Sequence, residues 1–111
     1  MLNVSFNKGG KIIHSLLPYL ERIQYLDIAA CDLDEVPTSI QSFHDLIYLD
    51  LSINNLTSLP EWLGDLDKLQ FLGLNHFKGK SFPEVILSMD NLKHLKLDKI
   101  ACPLPDTLLD L

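Results

Sequence analysis

Residues 46–69 read LIYLDLSINNLTSLPEWLGDLDKL, with leucine at 46, 49, 51, 56, 59, 63, 66 and 69. The trio Leu49, Asp50, Leu51 alternates apolar and polar residues, the period-two signal of a strand with one buried face. From Leu63 to Leu69 the leucines recur every third residue, which suits a short helical or 3-10 turn better than a long α-helix. Between them Asn54 and Asn55 mark a turn, and Pro60 stops any helix begun earlier. A unit this short with one apolar side cannot stand alone; it must stack on copies of itself.

The copies are present at a spacing of 23. Upstream, Leu26, Ile28, Leu33, Val36, Pro37, Ile40, Phe43 and Leu46 take the places of Leu49, Leu51, Leu56, Leu59, Pro60, Leu63, Leu66 and Leu69. Downstream, Leu72, Leu74, Phe82, Pro83, Ile86, Met89 and Leu92 do the same, and Leu95, Leu97, Cys102, Leu104, Pro105, Leu108 and Leu111 follow with one residue deleted. At the start, a spacing of 24 sets Leu2, Val4 and Asn7 in the strand and asparagine places, with Ile13, Leu17, Leu20 and Ile23 completing the unit. The chain divides into five repeats, 1–23, 24–46, 47–69, 70–92 and 93–111, in one domain whose first and last units are irregular.

The stretches LDLSINNLTSLPEWLGDLDKL at 49–69 and, more loosely, LDIAACDLDEVPTSIQSFHDL at 26–46 resemble the leucine-rich repeat family in its 23-residue form with a Leu-Pro pair, as found in bacterial repeat proteins and cytoplasmic scaffolds. The resemblance covers essentially the whole chain. It implies an α/β solenoid with a curved parallel sheet on the concave side and loops and short helical or 3-10 turns on the convex side. It also implies a protein-interaction surface rather than an enzyme.

Composition narrows the field further. A chain of 111 residues has room for one domain, and 47% hydrophobic residues is enough for a core. A net charge of −6 argues against a nucleic-acid partner, since no basic surface would collect phosphates. No apolar run approaches membrane-spanning length, and residues 1–10 lack the apolar core of a signal peptide, so the expected location is cytoplasmic. On that ground the glycosylation patterns at Asn3 and Asn55 read as chance. Cys31 and Cys102 fall about three units apart; at roughly 5 Å per strand they stand about 15 Å from each other, beyond disulfide reach. Both occupy core places of the pattern and are expected as inert buried thiols.

The asparagine place meets a physical need, because its amide points inward and bonds backbone groups of the turn that no strand satisfies. Asn7 and Asn54 can do this and Cys31 only weakly, whereas Phe77 and Ile100 cannot. The last two units should therefore depend more on apolar packing, and the loop 75–80, with Gly79 in a leucine place, is expected to bulge outward. In the first unit Gly9 and Gly10 suggest a loop and 14–22 a short helix. Trp62, on the outer arc, is expected exposed or half-buried.

Alternate strand residues face away from the core. In register, Tyr25, Tyr48, Phe71 and His94 form one row of the concave face; Asp27, Asp50, Gly73 and Lys96 form a second. Ala29, Ser52, Asn75 and Asp98 form a third, with Ala30, Ile53, His76 and Lys99 beyond it near the turn. Aromatic residues repeated on a small polar surface are the composition of binding hot spots. The expected partner-binding residues are Tyr25, Asp27, Tyr48, Asp50, Ser52, Phe71, Asn75, His94 and Lys96. The alternative is that the aromatics only stabilise the sheet by cross-strand stacking. Charge is also uneven: residues 21–67 hold ten acids and one base, 68–99 six lysines and three acids, giving an acidic middle and a basic later part.

No catalytic or metal-ligating arrangement is legible. The four histidines lack ligand spacing, no serine sits in a nucleophile elbow, and no glycine-rich phosphate loop follows a strand. No cofactor is expected. Two further readings compete with a free-standing binding module: a self-assembling structural block, and a repeat fragment of a larger signalling or effector protein. The first strand, residues 1–6, carries no charge to discourage edge pairing, so a homodimer through the N-terminal strand edge is expected; the alternatives are that the outer loop of the first unit folds over that edge or that the natural chain continues upstream.

Overall fold

The computed structural model describes residues 2–3 and 19–105. Five short strands, β1 (Leu2–Asn3), β2 (Tyr25–Asp27), β3 (Tyr48–Asp50), β4 (Phe71–Gly73) and β5 (His94–Lys96), form one parallel sheet in chain order. The register is the one the sequence repeats set: Leu26, Leu49, Leu72 and Leu95 lie side by side at intervals of 23, and Leu2 pairs with Leu26 at an interval of 24. Backbone bonds carry the parallel stack past the strand ends, with Ile28 N–H donating to Asp50 C=O at 3.0 Å and Ile53 N–H to Asn75 C=O at 2.9 Å.

Opposite the sheet, 3-10 turns cover Thr38–Ser42, Glu61–Asp65 and Glu84–Ser88. Each follows a proline, whose fixed φ and missing N–H suit the entry to a turn. The period of three is visible in the hydrogen bonds. Leu63 N–H reaches Pro60 C=O at 3.2 Å, Leu66 reaches Leu63 at 3.2 Å and Leu69 reaches Leu66 at 3.1 Å. Every third side chain therefore points inward, and Ile40, Leu63 and Ile86 are fully buried in one core with Leu26, Leu49 and Leu72. Trp62 is half-buried and packs on this core.

Asn54 is buried and makes the bonds its place in the repeat demands. Its Oδ1 accepts Cys31 N–H at 2.9 Å and Leu33 N–H at 3.0 Å; its Nδ2 donates to Ile28 and Leu51 C=O, both at 3.0 Å, and to Ser52 C=O at 3.4 Å. Cys31, in the same place one repeat earlier, donates a thiol bond to Ala29 C=O at 3.4 Å.

The next unit solves the problem differently, and here the expected outward bulge of 75–80 is corrected. Phe77 turns inward and is buried, while Lys78 N–H donates to Leu56 C=O at 3.0 Å, so the loop stays in the stack. The ring takes the volume that a side chain at 79 would need: a Cβ on Gly79 would stand 2.5 Å from Phe77 Cε2 and 2.5 Å from Thr57 O. Glycine is required there by space, and the missing leucine is replaced by the phenyl ring. The expected roles of Asn7, the Gly9 loop and most of the 14–22 helix, and of Leu108 and Leu111, lie outside the described residues.

After each strand from β2 to β5 the chain turns through a left-handed residue: Ala30 (φ 53°), Ile53 (57°), His76 (64°) and Lys99 (57°). For β-branched Ile53 this conformation is costly, and its side chain is 48% exposed, with little packing in return. Ile53→Asn should therefore raise stability by about 1 kcal/mol, read from the urea midpoint at unchanged slope; a fall would mean that the isoleucine packs better than its exposure suggests. Asn54→Ala strands two buried N–H groups and should cost at least about 2 kcal/mol in the same measurement; a loss below about 0.5 kcal/mol would mean that another group serves them.

Candidate functional site

Strand alternation sends Leu26, Leu49 and Leu72 into the core and the residues on either side of each onto the open face of the sheet. The first row is an aromatic ladder. Tyr48 and Phe71 stack face to face, with centroids 4.2 Å apart and planes 7° from parallel, and Tyr25 and Tyr48 are tilted at 35° and 6.1 Å. His94 continues the register and is exposed, but the described ring contacts end at Phe71. Tyr25 is 42% exposed, while Tyr48 and Phe71 are half-buried by their neighbours in the ladder.

In the second row each carboxylate is fixed by its own turn. Asp27 Oδ1 accepts Ala29 N–H at 3.0 Å and Asp50 Oδ1 accepts Ser52 N–H at 3.0 Å. Asp50 leans over the next strand, and a Cβ on Gly73 would lie 2.7 Å from Asp50 Cγ. Gly73 thus stands where the two preceding strands carry aspartate because the Asp50 carboxyl fills that space. Lys96, at the far end of the row, sets its Nζ 5.6 Å from the Phe71 ring centroid, within cation–π range.

The third row departs from the expectation for Ser52, which is buried rather than displayed. Ser52 stays on the Asp50 side of the chain, where both side chains crowd the space above Gly73, but it is covered there and its Oγ accepts Asn75 N–H at 3.0 Å. Asn75, half-buried, passes the pattern on: its Oδ1 accepts Asp98 N–H at 2.9 Å. These two residues hold neighbouring turns together. Tyr25, Asp27, Tyr48, Asp50, Phe71, His94 and Lys96 share the open face.

Two features lie beyond what the apolar pattern shows. Ile53 stands exposed at the rim beside Ala30, Asp32 and Asn55, lining a shallow hollow. A polar ladder flanks it, with Asn55 Nδ2 donating to Asp32 Oδ1 at 2.8 Å and Lys78 Nζ donating to Asn55 Oδ1 at 2.7 Å. A signal for it exists in the sequence, since 32, 55 and 78 are 23 apart and all polar. On the opposite flank Lys68 pairs with Asp45 at 3.0 Å. That hydrogen bond, and then the lysine's charge, hold the Asp45 carboxyl below its usual range; both groups face solvent, so the pair adds little to stability.

Among the described residues no three His, Cys, Asp or Glu side chains are grouped to hold a metal ion, and no helix is long and apolar enough to cross a membrane. Cys31 and Cys102 are both buried thiols. The shared face offers stacking surface and fixed charge, which are means of recognition.

Burial of the Tyr48 ring, and then the charges of Asp50 and Asp27, raise its phenol above the ordinary value of 10.0. The neutral phenol is therefore favoured in the folded chain. The stability it contributes is whole below about pH 10 and is lost as the pH rises through the raised folded value. Phenolate absorbance should show a late-titrating component that Tyr48→Phe removes and Asp50→Asn moves to lower pH. A late component that survives Tyr48→Phe would contradict this assignment.

The leucine rich repeat family model matches residues 21–77, more than half of the chain, and the chain belongs to that family. None of the curated proteins compared matches the sequence.

Proposed function

We propose that this leucine-rich repeat chain is a non-enzymatic interaction module that takes a protein or peptide segment on its concave sheet. Modules of this family are in general protein-binding surfaces. The observation that carries the reading is the aligned ladder of Tyr25, Tyr48 and Phe71, left open on one side and flanked by carboxylates that the backbone holds still. Rigid aromatic area beside oriented polar groups gives contact at low entropic cost. Ring stacking within the ladder also stabilises the sheet, and the two roles are compatible because Tyr25 stays exposed and Tyr48 and Phe71 are only half-buried. The Leu-Pro form of the repeat, resembling cytoplasmic scaffolds, and buried thiols at Cys31 and Cys102 support a place in the cytoplasm.

Peptides selected against the chain from a random display library test the reading. They should shift backbone amide resonances of β2 to β5, and Tyr48→Ala should weaken them by roughly 1–3 kcal/mol while leaving the fold intact. Peptides that instead map to the convex turns at Thr38–Ser42 and Glu61–Asp65 would overturn it.

A second arrangement is supported by the position of β1 at the edge of the sheet, where its outer side meets no other strand of the described chain. Two copies pairing through β1 would join two sheets into one, which light scattering at about 100 µM would register as a doubled mass that an Asn3→Pro variant, lacking an N–H on the outer side, reduces to monomer.

A further inference from the structure

The concave face is not uniform along its length, and the difference points to one kind of side chain. At the β4–β5 end the aromatic ladder already has a cation on it: Lys96 Nζ sits 5.6 Å from the Phe71 centroid. At the β2–β3 end the rings are spaced more widely, 6.1 Å between Tyr25 and Tyr48 against 4.2 Å between Tyr48 and Phe71. Tyr25 is the more open ring, and the neighbours in the next row are Asp27 and Asp50.

Neither of these carboxylates meets a cation within the described chain, whose one ion pair joins Lys68 to Asp45 on the flank. Each gives Oδ1 to its own turn, to Ala29 and Ser52 N–H, which fixes the carboxyl plane and leaves Oδ2 for a ligand.

We infer that the Tyr25, Tyr48, Asp27 and Asp50 end of the sheet receives an arginine side chain presented by a segment of a partner protein. This rests on the concave-sheet reading above and names the chemistry that the surface selects. The guanidinium is flat, so it can lie against a tyrosine ring, and its forked N–H groups can reach both free carboxylate oxygens. A lysine ammonium offers the charge without the flat face or the fork, and so binds more weakly. Lys96 at the other end repels a second cation and sets the polarity of the bound segment: its positive end lies over β2 and β3, and an acidic or neutral end over β5.

The test is an amide-resolved NMR titration of the whole chain with three flexible glycine-serine peptides. One carries two arginines, one two lysines, and one two citrullines, which match arginine in shape without the charge. The arginine peptide should shift the amides of Tyr25, Asp27, Tyr48 and Asp50, with the citrulline peptide roughly tenfold weaker and lysine in between. Asp27→Asn with Asp50→Asn keeps the Oδ1 acceptors for Ala29 and Ser52, so the fold should persist while arginine affinity falls by roughly tenfold. Asp65→Asn, an acid on the convex side, should change nothing. Equal shifts of β2 and β3 by arginine and citrulline would overturn the inference and leave the concave-sheet reading standing. Arginine shifts centred on the outer acidic turns, an affinity that ignores both asparagine changes, or no shift with arginine at all would overturn the inference, while the display selection decides the broader reading separately.

Discussion

The buried amide of Asn54 is the constraint from which the middle of this molecule follows. Between the strands and the outer turns the backbone must change direction, and the N–H groups of Cys31 and Leu33 and the C=O groups of Ile28 and Leu51 then lie inside with no strand to meet them. One side chain with two acceptor lone pairs and two donors answers them all, and it does so across two repeats at once. The bonds fix how the second unit sits on the third, and with it the spacing of Tyr25 against Tyr48 and of Asp27 against Asp50. The open face of the sheet inherits its order from this buried amide.

One repeat further on, the same geometric demand is met by filling space. Phe77 replaces the asparagine and Gly79 removes the leucine that would collide with its ring, so one large apolar group occupies two places of the pattern. Backbone groups there are served by the stack itself, through Lys78 N–H to Leu56 C=O at 3.0 Å and Ala101 N–H to Phe77 C=O at 3.4 Å. A polar clamp in the middle and an apolar plug beyond it give the two parts of the solenoid different sensitivities. The first depends on hydrogen-bond geometry and the second on packing volume.

Much of this is legible in the sequence because the information is periodic. The 23-residue spacing of Leu26, Leu49, Leu72 and Leu95 sets the strand register, and Pro37, Pro60 and Pro83 set the 3-10 turns, since each follows from a local rule repeated. The aromatic row is legible for the same reason. What fails is extrapolation past the end of a regular element. Alternation puts Ser52 on the Asp50 side, where it lies, but the small side chain is covered beside Asp50 and Gly73 and its hydroxyl is taken up by Asn75 N–H, which the pattern does not carry. Counting the substitutions at 77 and 79 as separate losses makes the loop at 75–80 bulge, whereas Phe77 and Gly79 compensate each other in space. The polar ladder through Asp32, Asn55 and Lys78 needs side-chain directions that a repeat pattern does not carry.

Hydrogen exchange of individual amides against urea tests most directly whether the Asn54 clamp holds the central turn. If it does, the Cys31 and Leu33 amides, both bonded to Asn54 Oδ1, open only when the sheet does. Their opening free energies should then equal that of Leu51, whose N–H donates to Gly73 C=O at 2.8 Å, and fall with urea at the same slope. Rapid exchange of Cys31 and Leu33 that is indifferent to urea, while Leu51 stays protected, would contradict the clamp and with it the rigid presentation of the concave face.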